Sequence, residues 1–178
     1  MAAIQDSFDG VWINLGVDVA RETTPARLQP GIGLRPGEPD HPAAPHVAVL
    51  YAALYESVAA HGRLGLNVVV DVAHYDAEIL ADAAARLAEM PVLFVGVHCP
   101  LEAIMERRRA AGAERYAIAD EDEPVPAPVL RWQKEVHSGW GYDLELDTSR
   151  VTPAQCAAAI AERLRDCSSD SAFATLAR

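Results

Sequence analysis

The stretch Leu66–Asp76 constrains the fold more than any other part of the chain. It reads L-N-V-V-V-D-V-A-H-Y-D, and five of its first seven residues are apolar, four of them valine. Such a run predicts a strand buried on both faces, as in a parallel sheet covered by helices. It ends in the polar side chains Asp71, His74 and Asp76. Taken alone, a core strand leading into a capped helix explains the stretch more simply than a binding site does.

Other apolar runs alternate with helical patterns along the chain. Three more strands are predicted, over Val11–Val17, Val92–His98 (fully buried) and Leu144–Asp147. After a last helical turn within Ile4–Asp9, helices are predicted over Pro45–His61, Asp76–Met90, Leu101–Ala111, Val129–His137 and Pro153–Arg165. This alternation indicates the α/β class, with a parallel sheet, right-handed crossovers and flanking helices.

Length, charge and cysteine content limit the function classes. The 178 residues predict a single domain over 1–165, followed by a flexible tail over 166–178 that frays. A net charge of −11, with fourteen arginines but only one lysine, Lys134, argues against nucleic acid as a partner. The three dispersed cysteines form no zinc or disulfide framework. Without a signal sequence or a membrane-length apolar run, the cytoplasm is expected and no membrane partner is predicted.

Polar residues follow each predicted strand, where a parallel sheet binds its ligands. These residues are Asp18, Asp71, His98 with Cys99, and Asp147. Asp18 is most simply a helix N-cap, but two carboxylates at adjacent strand ends also suit a general base or a metal–phosphate site. His98 and His137 have no second ligand four residues away, so no metal site is indicated.

A cluster of arginines stands out in this acidic chain. It consists of Arg107, Arg108, Arg109 and Arg115. One interpretation is a solvated helix face paired with nearby glutamates. The other is a mobile lid whose arginines meet phosphate charge during phosphoryl transfer.

The proline-rich stretch between Pro25 and Pro45 is predicted to be a long irregular loop. Its Gly31-Ile32-Gly33 segment lacks the spacing and the preceding strand of a dinucleotide-binding loop. Arg35 within it is either solvated or available to an anion or a substrate.

Several blocks together resemble the chloramphenicol phosphotransferase-like family, a branch of the P-loop kinases. They are L-G-V-D at Leu15–Asp18, P-G-I-G-L-R-P-G-E at Pro30–Glu38, R-L-G-L-N-V-V-V-D-V-A-H-Y-D at Arg63–Asp76, V-G-V-H-C-P-L-E at Val95–Glu102 and Y-D-L-E-L-D-T-S at Tyr142–Ser149. An ordered series of blocks is far more specific than any single motif. The resemblance implies a nucleotide-kinase-like fold of the P-loop NTPase type. It also implies phosphorylation, with ATP and Mg²⁺, of a hydroxyl on a small molecule such as a chloramphenicol-like antibiotic or a related metabolite.

The resemblance also assigns roles to individual residues. Asp18 matches the proposed base for the substrate hydroxyl, and Asp71 matches an acid that serves ATP and Mg²⁺. Arg107 falls at the first arginine of a lid over about 101–128. The second lid arginine is missing or displaced, and its candidate stand-ins at the cofactor are Arg108, Arg109 or Arg115.

The acceptor side of the site follows from the same resemblance. The loop Pro30–Glu38 lies where the family holds its acceptor, so Arg35 is expected to contact the substrate. His74 and Tyr75, which follow Asp71, are further expected substrate contacts.

The sequence departs from the family's motif pattern at its N-terminal end. A P-loop reads G-x-x-x-x-G-K-[ST], but Lys134 lies in W-Q-K-E with no preceding glycine. We therefore expect an N-terminally truncated sequence that lacks a strand and loop of about 25–30 residues, with two strand edges left unpaired. The predicted function is an O-phosphotransferase that is inactive as given. The alternative is a non-catalytic remnant that binds small molecules, and a hydrolase using Asp18 or Asp71 ranks last.

Overall fold

The computed structural model describes residues 1–29, 41–111, 125–139, 141–166 and 171–177. Within these ranges the chain is an α/β fold of small parallel sheets with flanking helices. In chain order the strands and α-helices are α1 (Ala2–Ser7), β1 (Trp12–Asn14), α2 (Val17–Thr23), α3 (Val47–Arg63), β2 (Asn67–Val69), α4 (Ala77–Arg86), β3 (Val95–His98), α5 (Leu101–Ala111), α6 (Ala127–Glu135), β4 (Leu144–Asp147), α7 (Pro153–Arg165) and α8 (Ala172–Thr175). Short 3₁₀ turns cover Ala26–Leu28 and Ala44–His46.

The four strands form two parallel ladders. In the first, Trp12 of β1 pairs with Asn67 of β2. In the second, Val95 of β3 pairs with Leu144 of β4. Among the described residues no ladder joins β2 to β3, so the sheet has two parts.

One hydrophobic core serves both ladders. Its buried centre combines α3, α4 and α8, with Tyr51, Leu80 and Phe173 among its members. Side chains that follow β2 and precede β3, such as Val72 and Phe94, pack against this same cluster. The buried positions of α3 recur at helical spacing, which is why this helix presents one continuous apolar face to the core.

Several predicted element boundaries are confirmed. The helices Leu101–Ala111 and Pro153–Arg165 and the strand Leu144–Asp147 have the predicted bounds. Helix α7 begins at a capping box, in which Thr152 and Gln155 satisfy each other's backbone N–H groups. Asp76 caps α4 by accepting hydrogen bonds from Glu78 N and Ile79 N, as the capped-helix interpretation of Leu66–Asp76 requires.

The prediction that the valine-rich strands are fully buried is wrong. Val68 and Val69 of β2 are only half-buried, and Val97 of β3 is 54% exposed. Full burial needs protein over both faces of a strand. Among the described residues, these strands lack full cover at the positions named. A run of valines indicates a strand but does not report what covers it.

The structure also corrects the prediction for the C-terminal tail. Residues 171–177, predicted to fray, include α8, and Phe173 on this helix is only 4% exposed. The carboxylate of Asp143 holds the helix in place. It accepts hydrogen bonds from Ala172 N at 2.7 Å and Ser171 Oγ at 2.8 Å, and also from Phe94 N at 2.7 Å. One side chain thus joins the C-terminus to the strand region.

We expect Asp143→Asn to lower the free energy of unfolding by about 2–3 kcal/mol, because an amide cannot accept all three hydrogen bonds and leaves buried donors unpaired. Urea denaturation followed by circular dichroism measures this change. The matched control is Asp6→Asn on the exposed face of α1, for which we expect less than about 0.5 kcal/mol. Equal effects of the two substitutions would show that Asp143 does not hold α8.

Candidate active site at the carboxyl ends of the strands

The ends of β1 and β2 bring two carboxylates together. Val17 N donates a hydrogen bond to Asp71 O at 2.9 Å, which continues the pairing beyond the strands. Gly16 lies so close to Asp71 that a Cβ at Gly16 would be 3.0 Å from the Asp71 Cβ. Asn14 fixes the turn by accepting from Gly16 N at 3.0 Å. The chain then enters α2, whose first turn carries the exposed Asp18 beside Asp71.

The surroundings of Asp71 raise the pKa of its carboxyl group. Asp71 is exposed as a residue, yet the protein around its carboxyl group raises its pKa through desolvation, which is the largest cause. The Asp18 carboxylate raises the pKa further, while the Met1 ammonium group opposes the shift. A carboxylate that sits beside a second acid can share a proton or help to hold a hydrated cation.

His74 lies in the core instead of at the site surface. It is 6% exposed, and its Nε2 is 2.5 Å from the Tyr55 hydroxyl. Burial lowers the pKa of His74 to about 4, against a smaller opposing effect of Asp76, so the ring is neutral at pH 7. This buried position argues against the predicted substrate contact and gives His74 a packing role under the loop after β2.

Tyr75 is half-buried and so more exposed than His74. Its ring meets the Trp132 ring of α6 edge to face, with centroids 6.0 Å apart. Burial, with the neighbouring Asp76 and Glu135 carboxylates, raises the pKa of Tyr75. Tyr75 therefore connects the Asp71 segment to α6.

Arg107 is held against the connection between β4 and α7. Its guanidinium donates to Thr148 Oγ1 at 3.1 Å and also to the Thr148 carbonyl, and Nη1 lies 3.6 Å from Cys99 Sγ. The predicted lid arginine thus stands at a strand end with its donors occupied by protein groups.

The other predicted arginines fall differently. Arg108 lines a cavity of about 620 Å³ between α5, α6 and the ends of β3 and β4. Arg35, the loop Pro30–Glu38 and Arg115 lie outside the described residues, as does much of the predicted lid. Their expected contacts stay predictions.

The sequence reasoning missed the wall of this cavity. Val129 and Trp132 on α6 and Val136 directly after it all line the cavity, and their helical spacing was the available signal. His98 and His137 looked isolated in sequence, but their ring centroids are 4.0 Å apart.

A hydrogen-bonded cluster surrounds these two histidines. The Tyr142 hydroxyl lies 2.8 Å from His137 Nδ1. His98 Nε2 lies 3.1 Å from Glu145 Oε2 but is not aligned for a hydrogen bond. Burial, together with His98, lowers the pKa of His137. Among the described residues, no group of three or more histidine, cysteine or acidic side chains is arranged to hold a metal ion.

Parallel strands that end in acids, flanked by helices and followed by an arginine-bearing helix, define a kinase-like α/β protein. The chain belongs to the chloramphenicol phosphotransferase-like protein family, whose model matches residues 1–165. It is also similar in fold to the tunicamycin resistance protein of Deinococcus radiodurans, with a TM-score of 0.52 and 16% identity over 92% of this chain and 88% of that one. The P-loop-kinase-like fold is thereby confirmed. No curated protein matches the chain significantly. None of the helices in the described part of the chain is long and apolar enough to cross a membrane.

The close contact of Gly16 with Asp71 generates a stability prediction. We expect Gly16→Ala to cost about 1–3 kcal/mol of folding free energy, because the added methyl group overpacks against the Asp71 backbone. Gly141→Ala is the matched control, since a Cβ there meets nothing within 4 Å. Thermal unfolding of the two variants checks this. A Gly16→Ala protein as stable as the control would contradict the close packing of the two strand ends.

Burial of His74 generates a pH prediction. Since the pKa of His74 falls to about 4 in the folded protein and is about 6.5 in the unfolded chain, the unfolded state binds more protons between these values. Stability should therefore fall as pH drops from 6.5 towards 4, by up to about 3 kcal/mol from this residue. Asp71, with its raised pKa, acts in the opposite direction.

Urea denaturation at a series of pH values measures this dependence. His74→Gln keeps a partner for Tyr55 but cannot be protonated, so it should flatten the decline while Asp71 still titrates. An unchanged decline in His74→Gln would assign it to other groups.

Proposed function

We propose that this chain is an ATP-dependent O-phosphotransferase that acts on a hydroxyl of a small molecule, such as a chloramphenicol-like antibiotic or a related metabolite. The observation that carries the proposal is the pair of carboxylates, Asp18 and Asp71, at adjacent parallel strand ends in a chain of the chloramphenicol phosphotransferase-like family. The named resistance function of the tunicamycin resistance protein is in keeping with an antibiotic as the acceptor.

Asp18 is the proposed general base. It is exposed on the first turn of α2, so an acceptor hydroxyl can approach it. Proton removal by a positioned carboxylate contributes about 10²–10⁴-fold to the rate of such transfers.

Asp71 is the proposed ligand on the cofactor side. A carboxylate beside a second acid suits Mg²⁺, which keeps several waters and needs only one or two protein carboxylates. The residues of this sequence fit the phosphates of ATP less well than they fit Mg²⁺. The sequence contains no G-x-x-x-x-G-K-[ST], and its single lysine, Lys134, lies on α6. The residues that would hold the phosphate chain of ATP are therefore not identified in this sequence.

Arg107 and Arg108 are the proposed lid cations. To neutralise a transferring phosphoryl group, Arg107 would exchange its hydrogen bonds to Thr148 for phosphate oxygens. Arg108 lies one residue further along α5, on the cavity side. Arg115 and the acceptor-side Arg35 complete the proposed set.

The second candidate function is small-molecule binding without turnover. The absence of a G-x-x-x-x-G-K-[ST] match from this sequence favours binding without turnover. Without such a phosphate-binding loop, most of the electrostatic stabilisation of phosphoryl transfer is lost. The carboxylate pair at the strand ends does not depend on that loop.

The two candidates differ in a transfer assay with γ-labelled ATP, Mg²⁺ and chloramphenicol. We expect negligible transfer by the chain as printed. A fusion that adds a strand and a G-x-x-x-x-G-K-[ST] loop from a family member before Met1 should transfer phosphate to the acceptor. In that fusion Asp18→Asn should lower kcat by about 10²-fold or more.

Glu22→Gln is the matched control, because Glu22 is also exposed on α2. Its kcat should stay close to that of the parent fusion. A folded fusion that binds chloramphenicol but transfers nothing supports the binding function instead. Full activity in Asp18→Asn would remove Asp18 from the mechanism.

A further inference from the structure

The rings of His98 and His137 join α6 to the ladder of β3 and β4. Their centroids are 4.0 Å apart, with an angle of 37° between the ring planes. His98 is the last residue of β3, and His137 lies two residues after α6 ends at Glu135. The proposed phosphoryl transfer uses neither histidine.

The strand side of this contact is firmly held. His98 lies in the ladder with β4. The Tyr142 ring packs so closely over Gly96 that a Cβ there would be 2.6 Å from Tyr142 Cδ2, and its centroid is 4.6 Å from that of Phe94. The Tyr142 hydroxyl, which lies 2.8 Å from His137 Nδ1, therefore gives His137 a partner that is fixed to the strand.

The helix side is held more lightly. None of the described residues of α6 is buried, whereas α3 and α4 each bury several side chains in the core. The Trp132 ring meets the Tyr75 ring edge to face. Gln133 Nε2 donates a hydrogen bond to Cys99 O at 3.0 Å. Because elements that bury little apolar surface open most easily, α6 depends on a few side-chain contacts such as these.

The charge on the two rings decides whether their contact is favourable. Two neutral imidazoles attract each other, but two imidazolium ions at this separation repel. Burial and the neighbouring His98 lower the pKa of His137. The Val97 carbonyl and the Glu145 carboxylate act on this pKa in the opposite direction. A ring whose pKa is lowered on the sheet binds its proton more tightly once it is released into water, so acidification favours release.

Other charged groups face the pair from the elements around it. On β4, Glu145 Oε2 lies 3.1 Å from His98 Nε2, but the two are not aligned for a hydrogen bond and Glu145 is exposed. The Asp147 carboxylate also interacts with His98, and it is already hydrogen-bonded to Ser149. On α5, Arg108 lines the same cavity wall and adds positive charge. The carboxylates therefore offset only part of the repulsion between two protonated rings.

We propose that the contact between His98 and His137 is a pH-sensitive latch, which holds α6 on the sheet at neutral pH and releases it in mildly acidic solution. Release carries Trp132 away from Tyr75 and opens the cavity wall beside Cys99. The latch does not depend on ATP or on phosphoryl transfer.

The full chain carries its own reporter of this release. Cys99 and Cys156 are half-buried free thiols, and of these two Cys99 lines the cavity, whereas Cys156 lies on α7. Both are alkylated with N-ethylmaleimide at about pH 7.5, 6.5 and 5.5, and peptide mass spectrometry follows each rate. The ratio of the two rates removes most of the pH dependence of thiolate formation. Global unfolding exposes both thiols, so it does not imitate a local release.

We expect the ratio of the Cys99 rate to the Cys156 rate to rise about fivefold or more between pH 7.5 and 5.5. His137→Gln keeps a polar partner for the Tyr142 hydroxyl but cannot be protonated, so its ratio should not change with pH.

A second variant and a control locate the effect in the pair. His98→Gln should also give a ratio that does not change with pH. Because it removes a neighbour that lowers the pKa of His137, it should also raise the pH at which the His137 ring titrates in proton NMR. His46→Gln is the matched control, since His46 is exposed on the 3₁₀ turn before α3 and does not line the cavity. Its ratio should rise as in the parent chain.

Two results would overturn the proposal. One is a ratio in the parent chain that does not rise down to pH 5.5. The other is a rise of the same size in either His137→Gln or His98→Gln, which would assign the rise to other groups. Because neither readout uses ATP, both are independent of the transfer assay for Asp18.

Discussion

The packing of α3 and α4 against both strand ladders is the constraint on which this structure depends. Within the described residues β2 and β3 share no ladder, so backbone hydrogen bonds do not hold the two halves of the sheet together. Side chains from both halves, such as Val72 and Phe94, instead bury themselves in one cluster around Leu80. Hydrophobic burial is non-directional, so it can unite elements that no hydrogen-bond ladder joins. Asp143 adds directional bonds that attach α8 to the same core.

Two kinds of site lie at the carboxyl ends of the strands. At the ends of β1 and β2, close backbone contact between Gly16 and Asp71 brings two acids together, and desolvation raises the pKa of Asp71. At the ends of β3 and β4, a cavity is lined by both apolar and polar side chains, Trp132 and His98 among them. The first arrangement suits proton transfer, and the second offers a volume of about 620 Å³. Tyr75 and Trp132 join them through one aromatic contact.

The sequence allowed the class of fold and much of the secondary structure to be predicted, because periodicity and capping are local properties. The helix Pro153–Arg165, for example, is marked by Thr152 and Gln155 at its start. The contacts of individual site residues depend on partners that are distant in the sequence. His74 follows the strand as expected, but its side chain is buried in the core. Its Nε2 contacts the hydroxyl of Tyr55, nineteen residues earlier. Arg107 was expected at a phosphate, and its partner in this structure is Thr148, forty-one residues away.

What the sequence by itself determined is the α/β alternation, the acids at the strand ends and the absence of a G-x-x-x-x-G-K-[ST] match in this chain. Each of these can be read from neighbouring residues. The tertiary structure alone decided which strands are covered, that Phe173 belongs to the core, and that the His98 and His137 rings meet at a cavity wall. The physical reason is that burial and side-chain pairing depend on contacts between residues far apart in the chain, which no local pattern records.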